Sequence, residues 1–129
     1  MGTREIVETL VAAVNSGKPD RIVVAFHPDA AFIDSLGGRI AGKAALLAGW
    51  SGYLGLFPDY RIEIEAIFVE EHEAMLHGWA GATLHRGGQP VAGGGWRIPA
   101  AWRAVTDSRR VILWQVFADN STVAALLAK

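Results

Sequence analysis

The chain has 129 residues, 51% of them apolar and 19% charged, with a formal net charge of −1. That length suits one domain, spanning residues 1–129, with a buried core, and the near-neutral balance excludes the basic footprint of a nucleic-acid binder. There is no cysteine, which excludes disulfides and thiol chemistry. No apolar run approaches the ~20 residues of a membrane span. The opening Met1-Gly2-Thr3-Arg4-Glu5 lacks the charged-then-apolar layout of a signal peptide, so a cytoplasmic location is the default expectation.

Residues 3–15 predict a helix, because Ile6, Val7, Leu10, Val11 and Val14 recur on one face. Asn15-Ser16-Gly17 ends it, and Pro19 opens a second short helix carrying Ile22, Val23, Ala25 and Phe26. His27 precedes Pro28, a pair that disfavours further helix, so His27-Pro28-Asp29 is expected as a turn and residues 30–35 as a strand. The strand runs into Asp34, and Ser35-Leu36-Gly37-Gly38 follows as a turn. Gly42 leads into a third helix over residues 43–55, with Ala44, Leu46, Leu47, Trp50 and Leu54 apolar, until Phe57-Pro58-Asp59 breaks it.

From Tyr60 the period changes to two. Ile62, Ile64, Ala66 and Phe68 alternate with Arg61, Glu63, Glu65 and Ile67, as in a half-buried antiparallel strand. Residues 73–86, 95–106 and 110–118 give three more strands. The glycine-rich stretch 87–95 and the turn Asp107-Ser108-Arg109 are expected to join them. Asn120-Ser121-Thr122 opens a last short helix over 122–128. Three helices with one early strand, then a run of long strands, make an α+β fold: a curved antiparallel sheet wrapped around helices. Such a sheet leaves an apolar cavity at its open end.

Asp34 is the first candidate for chemistry. Aimed into apolar surroundings, a carboxylate is costly unless paired, hydrated or used, and burial would make it a stronger base. Its other reading is a turn aspartate bonded to the Ser35–Gly38 backbone. Trp50, Tyr53, Trp102 and Trp114 are candidates to line the cavity or to pack the core. Strand parity puts Ile98, Ala100 and Trp102 on one face, and Ile112, Trp114, Val116 and Ala118 on one face of the next strand. Arg97 and Arg103 fall on the face opposite Ala100 and Trp102. His77 and Trp79 share a face whose direction the sequence leaves open. Asp119 is either a residue of the cavity mouth or a helix cap. His72, His77 and His85 stand five and eight residues apart, spacings that match no common ligand signature, so neither metal nor organic cofactor is called for.

Taken together, Phe26-His27-Pro28-Asp29-Ala30, the stretch from Asp34 to Gly42, Phe57-Pro58-Asp59-Tyr60 and the strand ending in Phe117-Ala118-Asp119 resemble the NTF2-like, SnoaL-like group of cone-shaped domains. That group includes ketosteroid isomerases and polyketide cyclases, and the resemblance runs from about residue 3 to 128. It implies a sheet coned around three N-terminal helices, with Asp34 where the isomerases keep their general base. Trp50 falls near a hydrogen-bonding tyrosine of that site. The isomerases' oxyanion tyrosine corresponds to about Leu10, and their protonated aspartate to about Ala100 or Ala101. The cyclases' histidine and aspartate correspond to about Ala100 and Val116. The Asp-Arg-Asp set of limonene-epoxide hydrolases has no counterpart. The resemblance therefore implies a cofactor-independent enzyme acting on a small apolar carbonyl compound by isomerisation, cyclisation or dehydration. Asp34 would move the proton, and Trp50, Tyr53, Phe57, Trp102, Trp114 and Val116 would shape the pocket. The missing partners at Leu10, Ala100 and Val116 favour the alternative, a non-catalytic binding or dimerisation module. A broad outer sheet face implies a homodimer in either case.

Overall fold

A computed structural model describes residues 2–129. Helix α1 covers Thr3–Asn15 and buries Ile6, Val7, Leu10, Ala13 and Val14, the stripe expected of a helix laid on a core. Asn15 ends it with a two-way clamp on the next layer: its side-chain amide donates to the Ile62 carbonyl at 3.0 Å and accepts from the Ile62 N–H at 2.9 Å. Helix α2, Pro19–Val24, starts with proline in its first turn, where a missing N–H costs nothing.

Strand β1 runs from Phe26 to Ile33, so His27-Pro28-Asp29 belongs to a strand and not to a free turn. It is an irregular strand: its register against the last strand shifts between Phe26 and Ala31, and the Asp29 N–H donates to His27 Nδ1 at 3.0 Å. Local proline chemistry marks a bulge here, which looks like a turn in sequence. A three-residue strand, β2 (Arg39–Ala41), follows and pairs back on β1; nothing in its composition announces it. Helix α3 is Lys43–Leu56.

Strands β3 (Arg61–Glu70), β4 (Glu73–Arg86), β5 (Gln89–Thr106) and β6 (Val111–Ala118) complete a six-stranded sheet in the order β2-β1-β6-β5-β4-β3. All neighbouring pairs are antiparallel except β1 and β6, which run parallel. The sheet is curved and unclosed, with helices on its inner face. Helix α4, Ser121–Leu127, follows β6.

The expected glycine-rich connection 87–95 is mostly strand. The reversal is confined to Gly87 and Gly88, both left-handed, as a two-residue hairpin requires. Gly93-Gly94-Gly95 lies within β5, where the register slips between Thr83 and His85.

Two further slips reset the expected alternation. In β3 the pairing jumps between Ile64 and Ala66, leaving Glu65 unpaired. Ile67 then turns inward and Phe68 outward, where Phe68 is 63% exposed. The apolar set Ile62, Ile64, Ala66, Phe68 is thus split between two faces, because one extra residue inverts every later side chain. In β6 a slip between Val105 and Thr106 sets Ile112 aside, so Val111 and Trp114 are both buried.

Candidate functional site

The inner face of the sheet and helix α3 enclose a cavity of about 330 Å³, within the range of small-molecule sites. Four layers of sequence build it. Strand β5 supplies Trp96, Ile98, Ala100 and Trp102, at every second position. Strand β6 supplies Trp114, Val116 and Ala118 by the same alternation. Helix α3 contributes Gly49, Trp50 and Tyr53, and Tyr60 enters just before β3. Phe32, Asp34, Ser35, Ile40 and Asn120 form the rim.

The walls are aromatic and interlocked. Trp102 and Trp114 stack with centroids 6.2 Å apart. Phe32 meets Trp50 edge-on at 6.0 Å, and Trp50 lies 6.4 Å from Tyr60. Tyr60 meets Tyr53 edge-on at 5.1 Å and lies 6.2 Å from Trp96. Edge-to-face and offset packing of this kind holds rings in fixed positions. Burial pushes both phenols above their ordinary pKa, and for Tyr60 the neighbouring Tyr53 adds to the effect. Both therefore keep their protons at neutral pH.

The rim is different. Asp34 is exposed and sits where β1 leaves the sheet. Its Oδ1 accepts from the Leu36 N–H and the Gly38 N–H, each at 2.9 Å. Its own N–H donates to the Gly38 carbonyl at 2.9 Å. The local fold is an Asx turn closed by glycines. Gly38 is needed for close approach, since a Cβ there would lie 2.6 Å from Asp34 Oδ2. Of the two carboxylate oxygens, Oδ1 is committed to the turn, and Oδ2 takes neither of those bonds. Asn120 Nδ2 donates to Ser35 Oγ at 2.6 Å and ties the start of α4 to this turn. Asp119 Oδ1 accepts the Ser121 N–H at 3.0 Å. Ser121, by backbone and side chain, holds that carboxyl below the usual range, so Asp119 braces the first turn of α4.

Of the residues expected to form the site, Trp50, Tyr53, Trp102, Trp114 and Val116 line the cavity, and Asp34 lies on its rim. Asp34 is not enclosed by apolar surroundings; the glycine turn that follows β1 swings it out to solvent. Phe57 is a correction. It is fully buried and packs behind the wall, 5.0 Å from Tyr53 and 5.5 Å from Trp96. Tyr60, Trp96, Phe32 and Asn120 are wall and rim residues that sequence reasoning did not single out. Trp96 shares the parity of Ile98 and Trp102 within the expected strand 95–106, so the same alternation could have found it. Leu10 is a core residue, whereas Ala100 lines the cavity.

His77 and Trp79 face outward. His77 Nδ1 lies 3.7 Å from Glu65 and its ring stacks on Phe68. Arg97 sits over the Trp79 ring at 4.1 Å and pairs with Glu63 at 2.9 Å. Arg103 pairs with Glu73. These ion pairs are exposed and contribute little stability, but they fix which face is outer. A wider groove of about 800 Å³ lies between α1 and β3, lined by Arg4, Glu8, Arg21, Arg61 and Glu65 among others. It is open and carries both signs of charge. Among the described residues no three His, Cys, Asp or Glu side chains converge as a metal site would require. No helix among them is long and apolar enough to cross a membrane.

The pattern of the SnoaL-like domain matches residues 7–112. The chain belongs to the SnoaL-like family. Solved structures share its fold over nearly the whole length. A putative SnoaL-like polyketide cyclase from Jannaschia sp. is 17% identical, with a TM-score of 0.82 over 98% of this chain and 91% of its own. AclR, a putative hydroxylase from Streptomyces galilaeus, is 21% identical, with a TM-score of 0.76 over 98% of this chain and 85% of its own. TerC, co-crystallised with polyporic acid, is 12% identical, with a TM-score of 0.79 over 98% of each chain. No curated protein matches the sequence. At these identities the likeness is one of fold, and the SnoaL-like fold hosts more than one activity.

Proposed function

We propose that this SnoaL-like protein is a cofactor-independent enzyme that moves a proton on a small, largely apolar carbonyl compound. The observation that carries the reading is a carboxylate on the rim of an otherwise aromatic cavity: Asp34 is the one charged side chain among the lining residues. A ligand ring between Trp50, Trp102 and Trp114 would bring its rim-side carbon toward Asp34. Oδ2 would take a proton from the carbon next to the carbonyl, and the C–H electron pair would move onto the carbonyl oxygen as an enolate. Where a C=C bond adjoins that carbon, returning the proton to the far end of the resulting dienolate completes an isomerisation; cyclisation and dehydration share the first step. General-base catalysis of this kind contributes about 10²–10⁴-fold. The small-molecule part of the reading is supported by TerC, a fold neighbour crystallised with polyporic acid.

The test uses Asp34→Asn. Asparagine retains an Oδ1 that accepts the Leu36 and Gly38 N–H groups, so the turn survives. Deuterium uptake next to the carbonyl of α-tetralone, followed by NMR in deuterium oxide, should be accelerated by the wild type and lost in the variant. Equal acceleration by both would remove Asp34 from the mechanism.

A second reading has its own observation. Asp34 is exposed, with Oδ1 already bonded in a turn, and Leu10, Ala100 and Val116 stand where the family's enzymes keep their partner groups. A binding module would take up α-tetralone in the cavity and exchange none of its hydrogens.

The homodimer belongs with either reading. Phe68, Met75 and Phe117 are 63%, 40% and 45% exposed on the outer sheet face. A sedimentation coefficient of a monomer at all concentrations would rule the dimer out.

A further inference from the structure

One buried donor in the inner wall has no partner in the protein, and two phenols lie near it. Trp96 Nε1 is buried and has no hydrogen-bond partner among the described residues; an indole N–H can only donate. Beside it lie the phenols of Tyr60 and Tyr53, at ring separations of 6.2 Å and 5.1 Å along the chain Trp96–Tyr60–Tyr53. Burial raises the pKa of both phenols, and the neighbouring Tyr53 raises that of Tyr60 further. A buried donor without an acceptor is a standing penalty, which stable proteins rarely carry without a use. The cavity walls contain no lysine, arginine or histidine, and their one charge is the carboxylate of Asp34.

We propose that Tyr53, Tyr60 and Trp96 form a neutral donor subsite for an acceptor oxygen of the ligand, a carbonyl or ether rather than a carboxylate or phosphate. The inference rests on the reading that the cavity holds a small apolar ligand, and adds which end goes in and what charge it carries. The ligand's oxygen turns toward Tyr60, its hydrocarbon body lies against the tryptophans, and the carbon beside the carbonyl stays within reach of Asp34. An anion would bury its charge without a cation to pair it and against the field of Asp34, so it is excluded.

The test is a ligand-observed NMR titration of the wild type, Tyr60→Phe, Tyr53→Phe and the double variant with three probes: α-tetralone, its hydrocarbon counterpart tetralin, and naphthoate. Phenylalanine keeps the ring that packs the wall, so the fold should stay intact, and tetralin binding serves as the control. The wild type should prefer α-tetralone to tetralin by about fivefold or more, the worth of one to two net hydrogen bonds, and bind naphthoate weakest. Tyr60→Phe should collapse that preference toward unity with tetralin affinity unchanged. A preference that survives in the double variant, or naphthoate bound as tightly as α-tetralone, would overturn the donor subsite while leaving the cavity as a binding site. If neither tetralin nor α-tetralone binds the wild type, the ligand-cavity reading falls, and this inference with it.

Discussion

The two ends of the cavity are built on opposite principles. At the inner end, Trp50, Trp96 and Trp102 are buried and their neighbours Tyr53 and Tyr60 keep neutral, protonated hydroxyls. At the rim, Asp34 is exposed and its Oδ1 accepts two backbone N–H groups. The inner end can recognise a shape and an acceptor atom but has no base. The rim has a base but few contacts with which to hold anything. Neither end alone makes an enzyme, and the proposed activity depends on a ligand that touches both.

Variants separate the two ends. The largest expected effect is on catalysis at the rim: Asp34→Asn should cut tetralone exchange by about 10²–10⁴-fold with binding and melting temperature unchanged. Next is stability at the inner end. Trp102→Ala removes a fully buried ring stacked on Trp114 and should cost about 3–5 kcal/mol in a urea melt. If it cost no more than a surface change, the wall would not be the packed structure described here.

Alkaline titration follows, because the chain has two tyrosines and both line the cavity. Their folded pKa values are raised, so their contribution to stability is complete below the unfolded phenol value of about 10 and is lost as pH rises past it. Phenolate absorbance should stay flat through about pH 10–11 while the fold holds, and appear together with unfolding. A normal midpoint for either tyrosine would open the inner wall to water.

Smaller still is Gly38→Ala, whose Cβ would press on Asp34 Oδ2; exchange should slow without loss of tetralin binding. Asn120→Ala gives up an exposed bond to Ser35 and should cost about 1 kcal/mol or less. A large loss of stability there would show that the rim is a structural brace more than a mouth.

Much of this was legible beforehand, and the misses share a cause. The helical stripe of α1, the long strands and the inward set Ala100, Trp102, Trp114 and Val116 follow from periodicity alone. The order of the elements pointed to the curved sheet against helices, and the family resemblance to its cone shape. What periodicity cannot register is a single extra residue. Bulges at Glu65 and Ile112 invert later side chains, and the glycines of β5 before Trp96 read as loop. The direction of Asp34 was equally beyond pattern, since it is decided by the φ of Gly37 and the closeness of Gly38. Tyr60 was hidden by the Phe57-Pro58-Asp59 break, which reads as a boundary although the next residue completes the wall.

The most direct test of this division of labour measures two quantities, the dissociation constant of α-tetralone and its deuterium uptake, in Asp34→Asn and Tyr60→Phe side by side. The account predicts that Asp34→Asn abolishes uptake at unchanged affinity, while Tyr60→Phe weakens affinity for the ketone and spares tetralin. If both substitutions moved the same quantity together, or neither moved any, the rim and the inner wall would not hold the separate roles assigned to them.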